Sequence, residues 1–547
     1  MIISPSEGTL DPRVRRLVLP MRILWSSGGA EGADSLLRND DAACVMRPSA
    51  EAPSAVLLDF GRELHGGIRL DVPTTSTGKP ARMRIRFGES ASEAMGSPNN
   101  DHTIHDFDLR VPWMGHIEVG NTGFRFVRLD LLDTAAAATL RAARAVFLYH
   151  DLDYLGSFEC SDPLLNRIWA TGARTVHLCM QDLVWDGIKR DRLPWIGDLH
   201  PEAMVISAVF GDSRLVRDTL DYVRDRTPLP GWMHGISSYS LWWILNHADW
   251  YRYHANLPYL REQRDYLAAL LGQVASRVDD AGQEHLDGWR FLEWPTSRDP
   301  AAIDFGLQAL TVLALRAGAG LLRALKRAKD AERIERAAAR AAACRRAPTA
   351  SKQAHALAVL AGMADPAAAN RKVLARDPNH GLSTFYGYYV LQARARAGDH
   401  AGCLRLLRAY WGGMLKMGAT TFWEGFDVDW MKGSARIDEL VPEGKRDIHA
   451  DFGDFCYQGL RHSLCHGWAA GPTAWLTEHI LGLAPAEPGF ARLAVSPHLA
   501  GLKWAEGTLP TPHGIVKVRH ERLADGTVKT RLSAPRGVKV KHVGVSD

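Results

Sequence analysis

Two changes of hydrophobic period along the 547 residues predict a multidomain chain: a β domain first, a large helical domain next and a small β domain last. Period-two stretches fill the sequence up to about residue 156, helical spacing runs from Ser161, and period two returns after PAEPGF at 485–490. The expected domains are 1–156, 157–484 and 485–547.

In the first domain the strands read as AVLLDF at 55–60, GIRLDV at 67–72, ARMRIRFGE at 81–89, HIEVG at 116–120, FRFVRLDLL at 124–132 and ARAVFLYHD at 143–151. Turn residues such as STGK and GNTG separate them, which is the pattern of an all-β sandwich. Within residues 1–50 only MRILW at 21–25 reads as a strand.

Ser161 and Asp162 stand as caps before PLLNRIWATGARTVHLCMQDL, where Pro163 suits the first turn of a helix. Helical patterns then recur at 199–225, 237–256, 258–278, 301–326, 329–346, 351–364, 384–397, 400–416 and 466–482. Ten to twelve helices over this length suit a toroid of antiparallel hairpins. No self-similar period of ~20–50 residues marks a solenoid. The alanine- and arginine-rich 329–346 reads as a solvated outer helix. The last strands are ARLAVSP, LKWAEGTLPT, GIVKVRHERL and VKTRLSAP.

Composition narrows the partners. With 46% hydrophobic and 23% charged residues the chain is of globular type, and a net charge of +4 gives no electrostatic footprint for nucleic acid or an anionic membrane. A small neutral molecule is the expected partner, and a monomer or homodimer the expected state. Seven cysteines, odd in number and without a CxxC pair, argue against a disulfide framework or zinc cluster and fit a reducing, cytoplasmic compartment. The opening MIISPSEGTLDPRVRR has no apolar core of a leader, and no uninterrupted apolar run is long enough to span a bilayer. Metal-ligand spacings, P-loop, GxGxxG and GxSxG patterns are missing from the sequence, so no cofactor or metal is expected.

The chemistry-capable residues crowd into the middle. Thirteen of the 17 tryptophans lie between Trp185 and Trp475, many beside acids. Aromatic faces stack on the C–H faces of sugars while carboxylates and histidines bind hydroxyls, although tryptophans equally staple helical cores. The densest segment, WDGIKRDRLPWIGDLHPE at 185–202, sets Asp186, Asp191 and Asp198 with Arg190, Arg192 and Trp195 in a loop leading into a helix. It is either a site or a salt-bridged surface loop. A second cluster, TTFWEGFDVDW at 420–430, holds Glu424 between Trp423 and Phe426, where desolvation would raise its pKa toward proton-transfer range. DGWRFLEWPTSRD at 287–299 brings Trp289, Glu293 and Trp294, and SLCHGWAAGPTAW at 463–475 brings His466.

At these residues the sequence resembles the α-L-rhamnosidases of glycoside hydrolase family 78. The resemblance runs through LDFGRELHGGIRLDV, RIRFGES, LGSFECSDPLLNRIWATGARTVHL, DGIKRDRLPWIGD, TTFWEGFD, HGWAAGPTAWL and ILGLAPAEPGFARLAVSPHL. It implies an (α/α)6 barrel with a β-sandwich on either side, and inverting hydrolysis of a terminal α-L-rhamnosyl residue. Position by position, the family's acid-bearing loop falls on Asp186, Arg190, Asp191, Trp195 and Asp198, with Asp191 as the general acid, and its general base falls on Glu424. The family's acid position usually holds glutamate, one methylene longer than Asp191. His466 matches a sugar-contacting histidine, and Trp289, Glu293 and Trp294 match the aromatic-acidic wall of the pocket; Trp423 is a further candidate for sugar contact.

Inversion needs the two carboxyl groups ~6.5–9.5 Å apart, so that a water fits between the sugar and the base. Two other readings stand beside the rhamnosidase. One is a glycosidase of the same fold for an acidic or unsaturated sugar, with Arg190, Arg192 and Arg298 binding its carboxylate. The other is a catalytically silent sugar-binding protein.

Overall fold

A computed structural model describes residues 11–50, 52–98 and 101–542; the first ten residues of the stretch read for a leader lie outside the described residues. In the first domain Val14–Val18, Ala142–Tyr149, Ala55–Val72, Gly115–Leu131, Ala81–Gly88 and Asp106–Val111 run side by side in that order, each antiparallel to its neighbour. Arg22–Ser27 pairs with Ala55–Val72 on the same sheet. A second sheet orders Gly29–Glu31, Cys44–Arg47, Ala138–Leu140 and Thr74–Thr75. Met46 and Leu140 of the second sheet share one core with Leu58, Ile68, Phe87 and Val127 of the first.

The strands expected separately at 55–60 and 67–72 are one strand, as are those at 116–120 and 124–132. The pairing register shifts between Asp59 and Leu64, where Gly61 turns at φ 78°, so residues that look like a turn are a bulge inside a continuing ladder.

A short helix, α1 (Ala91–Met95), capped by Ser90, packs Ala91 and Ala94 against Leu57 and Phe126 of the first sheet. In α2 (Pro163–Cys179) the Asp162 carboxylate accepts the Leu164 N–H, and Pro163 sits in the first turn as its fixed φ allows. The helix expected over 199–225 is two, α3 (Ile196–Val209) and α4 (Arg214–Asp225), because Gly211 turns the chain at φ 81°. The expected helices 258–278 and 400–416 each break in two, at Gln263 and Tyr410. The expected helix 466–482 is a series of short turns, Gly467–Ala470, Pro472–Trp475 and Leu476–Ile480, since Gly467, Gly471 and Pro472 interrupt it. α5 (Ser237–His254) matches its expectation and packs on α3. Ala328–Ala343 buries only one stripe, as an outer helix should. Pro300–Ala324 is long and apolar enough to cross a bilayer by composition, yet it lies mostly buried within the helical core.

One continuous core runs through the helices into the terminal strands, from Leu165 and Trp243 to Val495 and Val518. Ser157–Cys160, expected to open the helical domain, instead pairs antiparallel with Trp504–Thr511 in a four-stranded sheet completed by Gly514–Arg522 and Val528–Ser533. The β cap therefore shares a sheet and a core with the helical domain. None of the seven cysteines is paired.

Candidate active site

The loop from α2 to α3 folds back on itself. Asp186 N–H donates to Leu193 O, and Leu193 N–H donates to Asp186 Oδ1, both at 3.0 Å. At the tip of the closed loop Asp191 and Arg192 adopt φ of 57° and 55°. Two successive left-handed non-glycine residues cost about 1 kcal/mol or more each, a strain kept where side chains must be aimed. Arg190 and Asp191 project from this tip. Asp198 follows in the first turn of α3, where the helix N-terminus favours a carboxylate, and Tyr239 of α5 donates its hydroxyl to Asp198 Oδ2 at 3.1 Å.

Two later segments complete the arrangement. Glu424 N–H donates to Ser463 O at 2.9 Å, Ser463 N–H donates to Glu424 Oε2 at 3.2 Å, and Trp468 Nε1 donates to Glu424 O at 2.9 Å. His466 N–H donates to Phe422 O and Gly467 N–H to Asp186 O, so the segments around 186, 423 and 466 are laced together. A Cβ on Gly467 would fall 1.6 Å from Glu202 Oε1, so any side chain there would have to displace Glu202.

The resulting cavity has two lobes. The inner lobe, about 70 Å³, is lined by Asp186, Arg190, Asp191, Trp195, Asp198, Trp289, Trp294, Glu424 and His466, together with Ile236, Tyr239, Phe291, Cys456 and Trp468. The second, about 270 Å³, shares Trp294, Glu424 and Trp468 with it and adds Glu293, Ser383, Asp427 and Tyr457. Glu424 stands at the neck. Glu293 thus faces the second lobe rather than the inner one.

Trp423 is the correction: it lines neither lobe. Its ring is 1% exposed and packs edge-on against Phe426 and His462. With Glu424 turned into the cavity, its neighbour turns into the core. Tyr239, Ile236, Phe291 and Cys456 escaped the sequence reading. Tyr239 was hidden in SSYSLWW, which reads as an apolar core helix, and only its serine-rich start hinted that one turn meets polar groups.

Burial sets the electrostatics. It pushes Asp186 well above the usual carboxylate range, reinforced by Asp198 and Asp191, and pushes Asp198 well above it against the hydrogen bond from Tyr239. Glu202, one turn further along α3, is raised well above the range by burial and then by those two aspartates. His466 is held well below its ordinary value by burial, with Arg190 and His462 adding to it. Its Nε2 lies 3.7 Å from Asp186 Oδ2, 3.9 Å from Glu424 Oε1 and 4.0 Å from Asp198 Oδ1, and its Nδ1 has no hydrogen-bond partner. Burial also raises Glu424, and the Arg190 guanidinium, bonded directly to Glu424 Oε1, opposes it. The site is a nest of buried polar groups around the Arg190–Glu424 pair, walled by Trp289, Phe291 and Trp294.

Such a nest offers hydroxyl ligands, an aromatic platform and two carboxyl groups that differ in exposure: Glu424 is 3% exposed and Asp191 37%. His380, Asp427 and Asp429 bring ligand atoms within 4.8 Å of one another near the second lobe. His380 is already engaged by Asp377 and Asp429, and Lys432 by Asp429.

The profile of the bacterial alpha-L-rhamnosidase 6 hairpin glycosidase domain matches residues 153–480, and that of the bacterial alpha-L-rhamnosidase C-terminal domain matches 482–543. An alpha-L-rhamnosidase of Alteromonas sp. (strain LOR) is 24% identical across 91% of this chain and 57% of its own length. A second, from Formosa agariphila, is 25% identical over 26% of this chain and 16% of its own, so the chain spans little more than half of these relatives at most. The GH78 rhamnosidase of Bacillus sp. GL1 superposes with a TM-score of 0.76 at 23% identity, over 93% of this chain and 55% of that one. The rhamnosidase from Klebsiella oxytoca with rhamnose bound gives 0.65 at 20% identity, over 85% of this chain and 96% of that one. A helical domain combined with β domains is the fold these structures share with it. By the two profile matches, the chain belongs to the bacterial α-L-rhamnosidase family of six-hairpin glycoside hydrolases.

Proposed function

We propose that the chain is an exo-acting, inverting glycoside hydrolase that releases terminal α-L-rhamnose from glycosides or oligosaccharides, on an (α/α)6 barrel flanked by β-sandwich domains. The observation that carries this reading is that Asp191 and Glu424, far apart in sequence, line one small cavity with Arg190 between them: its guanidinium bonds Glu424 and its Nη1 lies 3.6 Å from Asp191 Oδ1. Glu424, whose ionised form the Arg190 guanidinium favours, takes a proton from the attacking water as the water's oxygen bonds to the anomeric carbon. Asp191 gives a proton to the departing glycosidic oxygen. Asp186, Asp198 and His466 bind sugar hydroxyls, and Trp289 and Trp294 cover the ring. The rhamnose held by the Klebsiella relative supports the choice of sugar.

The test is hydrolysis of 4-nitrophenyl α-L-rhamnopyranoside, with the product anomer followed by NMR at early times. Turnover well above a Glu424→Gln control, with β-L-rhamnose appearing first, is the expected result; a silent wild type, or an α-anomer first, counts against it. One observation favours a second assignment of the acid. Burial pushes Glu293, in the adjoining lobe, up to about 7, which suits a proton donor at neutral pH. If Glu293→Gln lowers kcat more than Asp191→Asn, Glu293 takes that role.

A further inference from the structure

The loop that carries Arg190 and Asp191 is anchored in the first domain. Ile188 is buried in that domain's core together with Leu178, Cys179 and Cys465. Ile188 O accepts the Gly123 N–H at 2.8 Å, and a Cβ on Gly123 would come 2.6 Å from the Ile188 side chain. His105 Nε2 lies 3.2 Å from Lys189 O. The Lys189 side chain is 1% exposed, with its ammonium 3.1 Å from Glu93 Oε1 and 3.5 Å from Glu89 Oε2. The same ammonium donates to Leu460 O at 2.7 Å and His462 O at 2.9 Å.

Those partners lead to the base. Glu89 Oε2 accepts the Leu464 N–H at 2.6 Å, and the preceding Ser463 N–H holds Glu424. Ser90, the cap of α1, bonds His449 Nδ1 at 2.7 Å, and His449 Nε2 reaches His462 O at 2.9 Å. An ammonium withdrawn from water is retained only where partners replace its hydration, and here the partners come from separate segments. We propose that Lys189 is a positioning residue: with Glu89 and Glu93 of the first domain it locks the loop bearing Arg190 and Asp191 onto the 460–466 segment that holds Glu424 and His466. Its effect on rate rests on the hydrolase reading; its effect on the loop does not.

The groups facing Lys189 are Glu63, Glu89, Glu93, His449 and His462, with His105 beside its carbonyl. Burial pushes Glu89 up to about 8 and raises Glu93, and Lys189 opposes both. Glu424 is faced by Arg190, Asp191, Asp186, Asp198, His466, Cys456 and Tyr457. Of these, Arg190 alone bonds its carboxylate by a cationic side chain. If Lys189 holds Arg190 in place, loss of Lys189 lets the pKa of Glu424 rise further.

The experiment compares Lys189→Met and Glu93→Gln with wild type in the full chain, by kcat, KM and pH profile on 4-nitrophenyl α-L-rhamnopyranoside and by hydrogen exchange. Lys189→Met is expected to lower kcat ~30-fold or more with KM within ~3-fold, as a misplaced catalytic group does. It is also expected to move the acidic limb of kcat to higher pH and to speed exchange in 187–193 and 460–466, with the first-domain strands unchanged. Glu93→Gln, which keeps both carbonyl bonds of Lys189, should lose less. A wild-type kcat and acidic limb in Lys189→Met overturn the proposal, as does exchange that quickens throughout the first domain. Should Lys189→Met not fold, an unshifted limb and unchanged kcat in Glu93→Gln overturn it. Should the wild type hydrolyse no rhamnoside, the hydrolase reading fails, and unchanged exchange at 187–193 in the variants then overturns the clamp by itself.

Discussion

Two cavities border α3 and α5, each lined by acids, arginine and aromatic rings. Further along the same helices than Asp198 and Tyr239, the residues His200, Trp242, Asp249 and Arg252 join Gln392 and Glu478 around a cavity of about 340 Å³, larger than either lobe of the candidate site. There Asp249 is matched by charged partners, and Glu478, raised by burial, is held by neutral donors. Asp249 accepts from His200 Nε2 at 3.1 Å and Arg252 Nη1 at 3.3 Å, which hold it below the usual carboxylate range although burial opposes them. Glu478 accepts from Tyr253 at 2.7 Å and from Gln392. In the candidate site burial raises Asp186 and Asp198 in one nest, and His466 Nδ1 has no partner. The two cavities differ in how their aspartates stand: Asp249 is paired and lowered, whereas Asp186 and Asp198 share one nest and are raised, and that crowding of acids, rather than cavity size, marks the candidate site.

The sharpest break in that contrast would come from the base. Glu424→Gln should lower kcat by ~10²-fold or more, whereas Asp249→Asn, in the other cavity, should leave kcat within ~3-fold and cost about 1 kcal/mol of stability in thermal melts. Equal effects on rate from the two would erase the distinction. Asp191→Asn should follow with a loss of ~10²-fold in kcat. A near-normal rate there, with a collapse in Glu293→Gln, would transfer the acid's role to the second lobe.

A gentler test is the pH profile. Because burial raises Glu424 above the ordinary 4.5, the acidic limb of kcat should lie above that value, activity falling as pH drops through it. If Glu293 is the acid, activity should also fall as pH rises through about 7, and Glu293→Gln should remove that limb. The smallest effect concerns stability. Glu202 is raised well above 4.5 in the folded chain, so the native state keeps its full stability below 4.5 and loses it as rising pH ionises the unfolded chain first. Glu202→Gln cannot ionise in either state, and should be more stable than wild type by about 1 kcal/mol at pH 8, with the gain vanishing near pH 4. Equal melting differences at both pH values would show that Glu202 is ionised where it is buried.

Much of this was legible from residue pattern. The periods separated sheet from helix because apolar faces repeat at two or at 3.6 residues, and the acid–tryptophan clusters marked nine residues of the inner lobe. What pattern could not carry was phase and direction. Gly61 interrupts the alternation without ending its strand, so one strand reads as two. Trp423 and Glu424 are adjacent and look alike as site residues, yet one faces the core and the other the cavity. Lys189 reads as one more charge in a charged loop, since its partners Glu89 and Glu93 sit in another domain. Tyr239 is indistinguishable from its core neighbours until α5 is seen to begin at the rim.

The pairing of Ser157–Cys160 with Trp504–Thr511 has a mechanical consequence. The residues just before the first helix of the helical body are zipped to residues well past its last, so the body is closed like a bracelet by its clasp. Strain applied at either end of that body is borne by a ladder of interstrand bonds instead of by helix packing. A proteolytic nick within the ring would leave both fragments gripped by one sheet, and the helices and the terminal strands should melt together in one transition.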